Sequence, residues 1–105
     1  MNHEGVLAML EGTNLPVAYS HFAEGEAPKP PFICFTFPTS KNFSADNIVY
    51  VKFLNLEVEL YSDEKSPSIE ALLEAIFTKN ELFWEKSELW IESEKLYEVL
   101  YQIAV

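Results

Sequence analysis

Apolar residues recur at helical spacing most clearly late in the chain. Ile69, Leu72, Leu73, Ile76 and Phe77 fall at i, i+3, i+4, i+7 and i+8, the stripe of a helix packed on a core. Ser66 reads as its N-cap, Pro67 as its first helical residue and Asn80 as its end. A shorter helix is expected over residues 3–12, with Val6, Met9 and Leu10 on one face and Gly12 as the stop, although Gly5 weakens it.

A period of two governs most of the rest. Residues 17–22 read as a strand, and Gly25, Pro28, Pro30 and Pro31 then break the pattern. Residues 32–37 are apolar on both faces, as in a central strand covered on each side, and Pro38 ends them. A polar loop over 39–47 carries one isolated aromatic, Phe43. Residues 48–61 give the longest strand signal, with Leu54, Leu56, Val58 and Leu60 on one face and Asn55, Glu57 and Glu59 on the other. Val49, Val51 and Phe53 have the opposite phase, which predicts a bulge near Phe53 or two strands meeting there. Residues 82–91 and 94–105 read as two strands joined near Glu92-Ser93, the second with Tyr97, Val99, Tyr101, Ile103 and Val105 on one face.

The resulting order, α-β-β-β-α-β-β, predicts an α+β domain spanning 1–105. Its sheet is expected to have four to five strands, mostly antiparallel, with two helices packed on one face. A chain of 105 residues, 49% apolar, is one ordinary domain with enough material for a core. One cysteine, Cys34, excludes an internal disulfide framework.

Charge narrows the function classes. Seventeen acids face seven bases, for a net charge of −10, and twelve of the acids lie in residues 57–98. All seven bases are lysine. Without arginine or a basic footprint, the chain is not expected to bind nucleic acid or an anionic membrane surface. The first residues are acidic and short on apolar length, unlike a signal peptide, and no run has the length of a transmembrane helix; the expected location is the cytoplasm.

Catalytic chemistry finds little support. His21 and Cys34 lie on successive strands, but no third group orients the histidine and both fit ordinary strand positions. Glu57, Glu59, Asp63 and Glu64 are close in sequence, yet the first two read as the solvated face of a strand, and no calcium-loop pattern is present. The three glycines form no phosphate-cradling loop. No cofactor or metal is expected. The aromatic surplus is more informative: fifteen of 105 residues are Phe, Tyr or Trp. Most must fill the core. Phe43, Tyr50, Trp84 and Trp90 lie in polar neighbourhoods or on faces opposite the apparent core, and for these four both a protein interface and core filling stay open.

Several segments carry a resemblance. They are residues 15–22 (Leu-Pro-Val-Ala-Tyr-Ser-His-Phe), 30–33 (Pro-Pro-Phe-Ile), 42–47 (Asn-Phe-Ser-Ala-Asp-Asn), 57–63 (Glu-Val-Glu-Leu-Tyr-Ser-Asp) and 91–101. Together they resemble small tail-component proteins of phages and prophages of Gram-positive bacteria, similar to the tail terminator, or tail completion, family. The resemblance implies a non-catalytic structural protein that forms a hexameric ring between tail tube and head connector. It also implies a place first in the bacterial host cytoplasm and then in the virion tail. By that analogy loop 39–47 and strand 48–61 are candidates for subunit or tube contacts. The expected interface residues are then Phe43, Asp46, Tyr50, Phe53, Trp84 and Trp90. An alternative from the charge alone is an acidic inhibitor or DNA mimic that occupies a basic partner.

Overall fold

A computed structural model describes residues 2–23, 25–38 and 55–104. Along the chain these form α1 (His3–Glu11), β1 (Val17–Tyr19), β2 (Phe32–Thr36), β3 (Leu56–Ser62), α2 (Pro67–Lys79), β4 (Phe83–Ile91) and β5 (Leu96–Ala104). The architecture is α+β, with both helices on one face of a five-stranded sheet of order β1-β2-β3-β5-β4.

Local chemistry explains the helix ends. Asn2 caps α1, its Oδ1 accepting from Gly5 N at 2.8 Å. Gly12 ends α1 in right-handed geometry, and the turn to positive φ falls on Asn14, at 64°. Thr13 Oγ1 donates to Leu10 O at 2.8 Å and accepts from Leu15 N at 3.2 Å, which ties off the same turn. Pro67 opens α2 after Ser66, whose carbonyl rather than its side chain accepts the first helical bonds. Asn80 closes α2, its Nδ2 donating to Ile76 O at 2.8 Å.

The sheet is mixed rather than purely antiparallel. β1 runs parallel to β2, with Val17 opposite Ile33 and Tyr19 opposite Phe35. The cause lies in residues 20–31. Ser20 leaves the strand at φ 68°, so β1 ends three residues before the sequence pattern suggests. The proline-rich stretch that follows is long enough for a crossover, which parallel neighbours require. The other pairs, β2–β3, β3–β5 and β4–β5, are antiparallel.

Register sorts the side chains into two faces. Ile33, Phe35, Leu56, Val58, Leu60, Val99, Tyr101 and Ile103 face the helices and pack with Val6, Leu10, Leu73 and Phe77. The alternation from Leu56 onward is therefore a core alternation. In β2 the opposite positions, Phe32 and Cys34, are buried as well, in keeping with a strand apolar on both faces. His3, unremarkable in sequence, packs on Tyr19 and Phe35 with ring centroids 4.7 and 5.2 Å away. The loop around Phe43, the early part of the 48–61 strand with its phase slip, and Val105 lie outside the described residues.

Candidate interaction face

Among the described residues no helix packs on the other sheet face, which is assembled from positions that the pleat turns away from the core. Pairing of Cys34 with Glu59, of Phe32 with Tyr61 and of Tyr61 with Glu98 sets these side chains side by side on that face. At one end the rings of Phe22, Phe32 and Tyr61 form a row, with centroids 5.4 and 5.2 Å apart. Acids occupy the centre: Glu57, Glu59 and Glu98. At the far edge β4 presents Phe83, Leu89 and Ile91, which alternate with the residues that face the helices.

Glu59 is not the solvated carboxylate that strand alternation predicts. Its neighbours half-bury it, and Glu98 and the Tyr61 hydroxyl lie near its carboxyl. Burial first, and then Glu98, push the Glu59 pKa up to about 8. Burial and the same two acids push the Cys34 thiol up to about 11 and the Tyr61 phenol upward too. A nucleophilic cysteine needs the reverse environment, with cationic neighbours that favour the thiolate. His21 supplies none: it is exposed, and its Nδ1 lies 3.0 Å from Ser20 Oγ.

On the helix side, α2 and β4 are strapped by charge. Lys86 Nζ donates to Glu74 Oε2 at 2.7 Å and to Glu70 Oε1 at 3.1 Å. Lys65 reaches Glu70 Oε2 at 3.0 Å and also pairs with Glu88. The Tyr101 hydroxyl donates to Glu74 Oε2 at 2.8 Å. Burial raises the Glu70 pKa, but the two ammonium groups outweigh it and hold the carboxyl below its ordinary range. Glu70 and Glu74 sit one turn apart, so one lysine from β4 can serve both.

Among the sequence-predicted interface residues, Phe43, Asp46, Tyr50 and Phe53 lie outside the described residues. Trp84 does not lie opposite the core. It pairs with Ile103 on the helix-bearing face and is half-buried, its ring edge-on to Tyr101 at 5.7 Å. The pairing of β4 with β5 fixes this: Trp84 has the parity of Lys86, which reaches α2. Trp90 shares that face but stays 41% exposed, tilted on Tyr97 at 4.8 Å, with Nε1 donating to Glu92 Oε1 at 2.8 Å. Sequence reading missed Phe83, 82% exposed, and Leu89, 57% exposed. Their spacing of six residues on one strand face was the available signal.

Two further features complete the surface. A groove of about 540 Å³ runs between Gly5, Ala8 and Gly12 of α1 and Leu72, Ile76 and Lys79 of α2. Among the described residues, no His, Cys, Asp and Glu side chains gather as a metal site would, and no helix is long and apolar enough to cross a membrane. Comparison with protein-family models, with curated proteins and with solved structures found no match.

Proposed function

We propose that the protein is a virion structural component of phage, of the tail terminator or head–tail joining type, acting by assembly without catalysis. In this reading copies close into a hexameric ring on the end of the tail tube and present a surface to the head connector. The sequence resemblance supplies the family. The observation that carries the assembly reading is β4, an edge strand among the described residues, where Phe83 and Leu89 stand exposed on the face without helices and Trp90 on the helix-bearing face. Exposed aromatic and aliphatic groups beside an unpaired strand edge are what a docking subunit offers its neighbours. The surroundings of Cys34 and His21 point the same way, since neither is prepared for nucleophilic chemistry.

The test is co-sedimentation with purified tail tubes that lack a terminator, followed by electron microscopy of the tube ends. The expected result is stoichiometric binding confined to one end, with six-fold density. Absence of binding to tubes from the cognate phage rejects the proposal. The acidic stripe of Glu57, Glu59 and Glu98 favours a second reading, an inhibitor of a basic partner. That reading is weakened by Glu59, which keeps its proton to about pH 8 and so withholds one of the charges a mimic needs.

A further inference from the structure

Strand β4 reads Phe-Trp-Glu-Lys-Ser-Glu-Leu-Trp-Ile, and its pattern is nearly symmetric about Ser87. An apolar residue stands at each end, a tryptophan next inside, and opposite charges flank the centre. β5 takes one side of this strand, and among the described residues nothing pairs with its outer edge. Such an edge is a template for another strand. We propose that β4 pairs antiparallel with β4 of a second copy, across a two-fold axis at Ser87, and joins two sheets into one. The proposal rests on the assembly reading of this strand; a two-fold contact differs from the head-to-tail contacts that close a ring, so the ring contacts fall on other surfaces.

Self-complementarity argues for this occupant. In antiparallel pairing about Ser87, residues directly opposite share a face. On the helix-bearing face Trp84 meets Trp90 of the second copy, and Lys86 meets Glu88; symmetry makes each contact twice. On the open face Phe83 meets Ile91 and lies diagonal to Leu89. Phe83 and Leu89 are the two most exposed large apolar side chains of the described residues, so pairing covers the surface that most needs cover. Lys86 and Glu88 already belong to an alternating network with Glu70, Glu74 and Lys65, which the pairing extends across the axis.

Charge also selects the register. Moving the axis to Lys86 or to Glu88 sets identical charges directly opposite each other, which destabilises a strand pair. The other edge of the sheet is a poor alternative partner. β1 has three residues against nine in β4, so head-to-tail joining of sheet edges leaves most of β4 unpaired. The two-fold places both helix layers on the same side and leaves one continuous open face for other proteins.

The register is tested by cysteine cross-linking of the full chain, with Cys34 buried and slow to react. Ser87→Cys is expected to oxidise to a covalent dimer, because residues on the axis face each other at about 4.5–5.5 Å between Cα atoms, within disulfide reach. Glu85→Cys and Leu89→Cys each face a different residue; neither alone is expected to cross-link, but their mixture is. Sedimentation velocity supplies the second readout. Leu89→Glu sets like charges opposite Glu85 and is expected to weaken association at least about tenfold. Leu89→Lys sets opposite charges there and is expected to weaken it less. A wild-type protein that stays monomeric up to about 1 mM overturns the proposal. So does a dimer in which Ser87→Cys fails to cross-link, or in which both Leu89 variants lose affinity equally. Tail-tube co-sedimentation reads the ring separately, so loss of the two-fold dimer and loss of the virion role are distinguishable.

Discussion

Glu59 occupies a polar position of an alternating strand, yet burial and Glu98 hold its proton to about pH 8. An unfolded glutamate releases its proton near ~4.3. Between these values the folded protein binds the extra proton, so stability falls as pH rises across that window. Glu57 and Tyr61 on β3, Cys34 on β2 and Glu98 on β5 are the ionisable groups that face it. Glu59→Gln removes the ionisation and is expected to flatten the decline. The gain over wild type at pH 8.5 should be on the order of 1 kcal/mol, because half-exposed charges are screened. Urea midpoints at pH 5 and pH 8.5 measure it, and a wild-type midpoint that rises over this range contradicts the assignment. Cys34 in the same cluster gives a second readout. Its thiol, pushed up to about 11 and buried, should react with a disulfide reagent at pH 8 far more slowly than in urea-unfolded protein. Equal rates in the two states would mean that the thiol is not enclosed by β2, β3 and β5 as described.

At the scale of elements, β5 holds the edge strand along nine paired residues, and the strap from α2 adds a second attachment. Glu70 is buried on the core-facing side of α2, and its charge persists because Lys65 and Lys86 both reach it. Lys86→Ala is expected to cost about 1–2 kcal/mol at pH 7, since it leaves buried carboxylate with one donor fewer. The folded pKa of Glu70 lies below its unfolded value, so this stabilisation is present above the unfolded pKa and is lost as pH falls through the folded one. The cost of Lys86→Ala should therefore shrink below about pH 4. A penalty independent of pH would assign the effect to packing of the lysine stem. These elements differ in how far the sequence revealed them. α2 was legible at both ends because proline and asparagine mark its termini and five apolar residues keep one phase. β3 and β5 were legible as alternations, and Leu56, Val58, Leu60, Val99, Tyr101 and Ile103 all face the core. The direction of β1 was not, since strand propensity carries no information about crossovers. The site was less legible than the fold. The Glu59–Glu98 pair depends on the register between strands 39 residues apart in sequence, which no local pattern encodes. Trp84 was misplaced for a related reason: Phe83 and Trp84 are adjacent bulky residues, and only pairing with β5 decides which one faces the helices.

For the whole molecule, the net charge of −10 acts against any contact between copies. Association must overcome this repulsion through Phe83, Leu89, Ile91 and the tryptophans, whose burial does not depend on screening. Salt shortens the reach of the repulsion, from a Debye length of about 10 Å at 0.1 M to about 3 Å at 1 M. The two Lys86–Glu88 contacts of the proposed strand pair lose some attraction over the same range, but they are few beside the net charge of each copy. Self-association should therefore strengthen as sodium chloride rises from 0.05 to 0.5 M, by roughly three- to tenfold in affinity. An inhibitor that mimics nucleic acid behaves in the opposite way, because its attraction to a basic partner is itself the screened quantity. Sedimentation velocity across that salt series thus separates the two accounts of the acidic surface. Stronger association with salt fits a subunit whose acids keep copies apart until apolar strand edges meet. Weakening with salt would mean that charge pairs, and not the apolar residues of β4, hold the copies together.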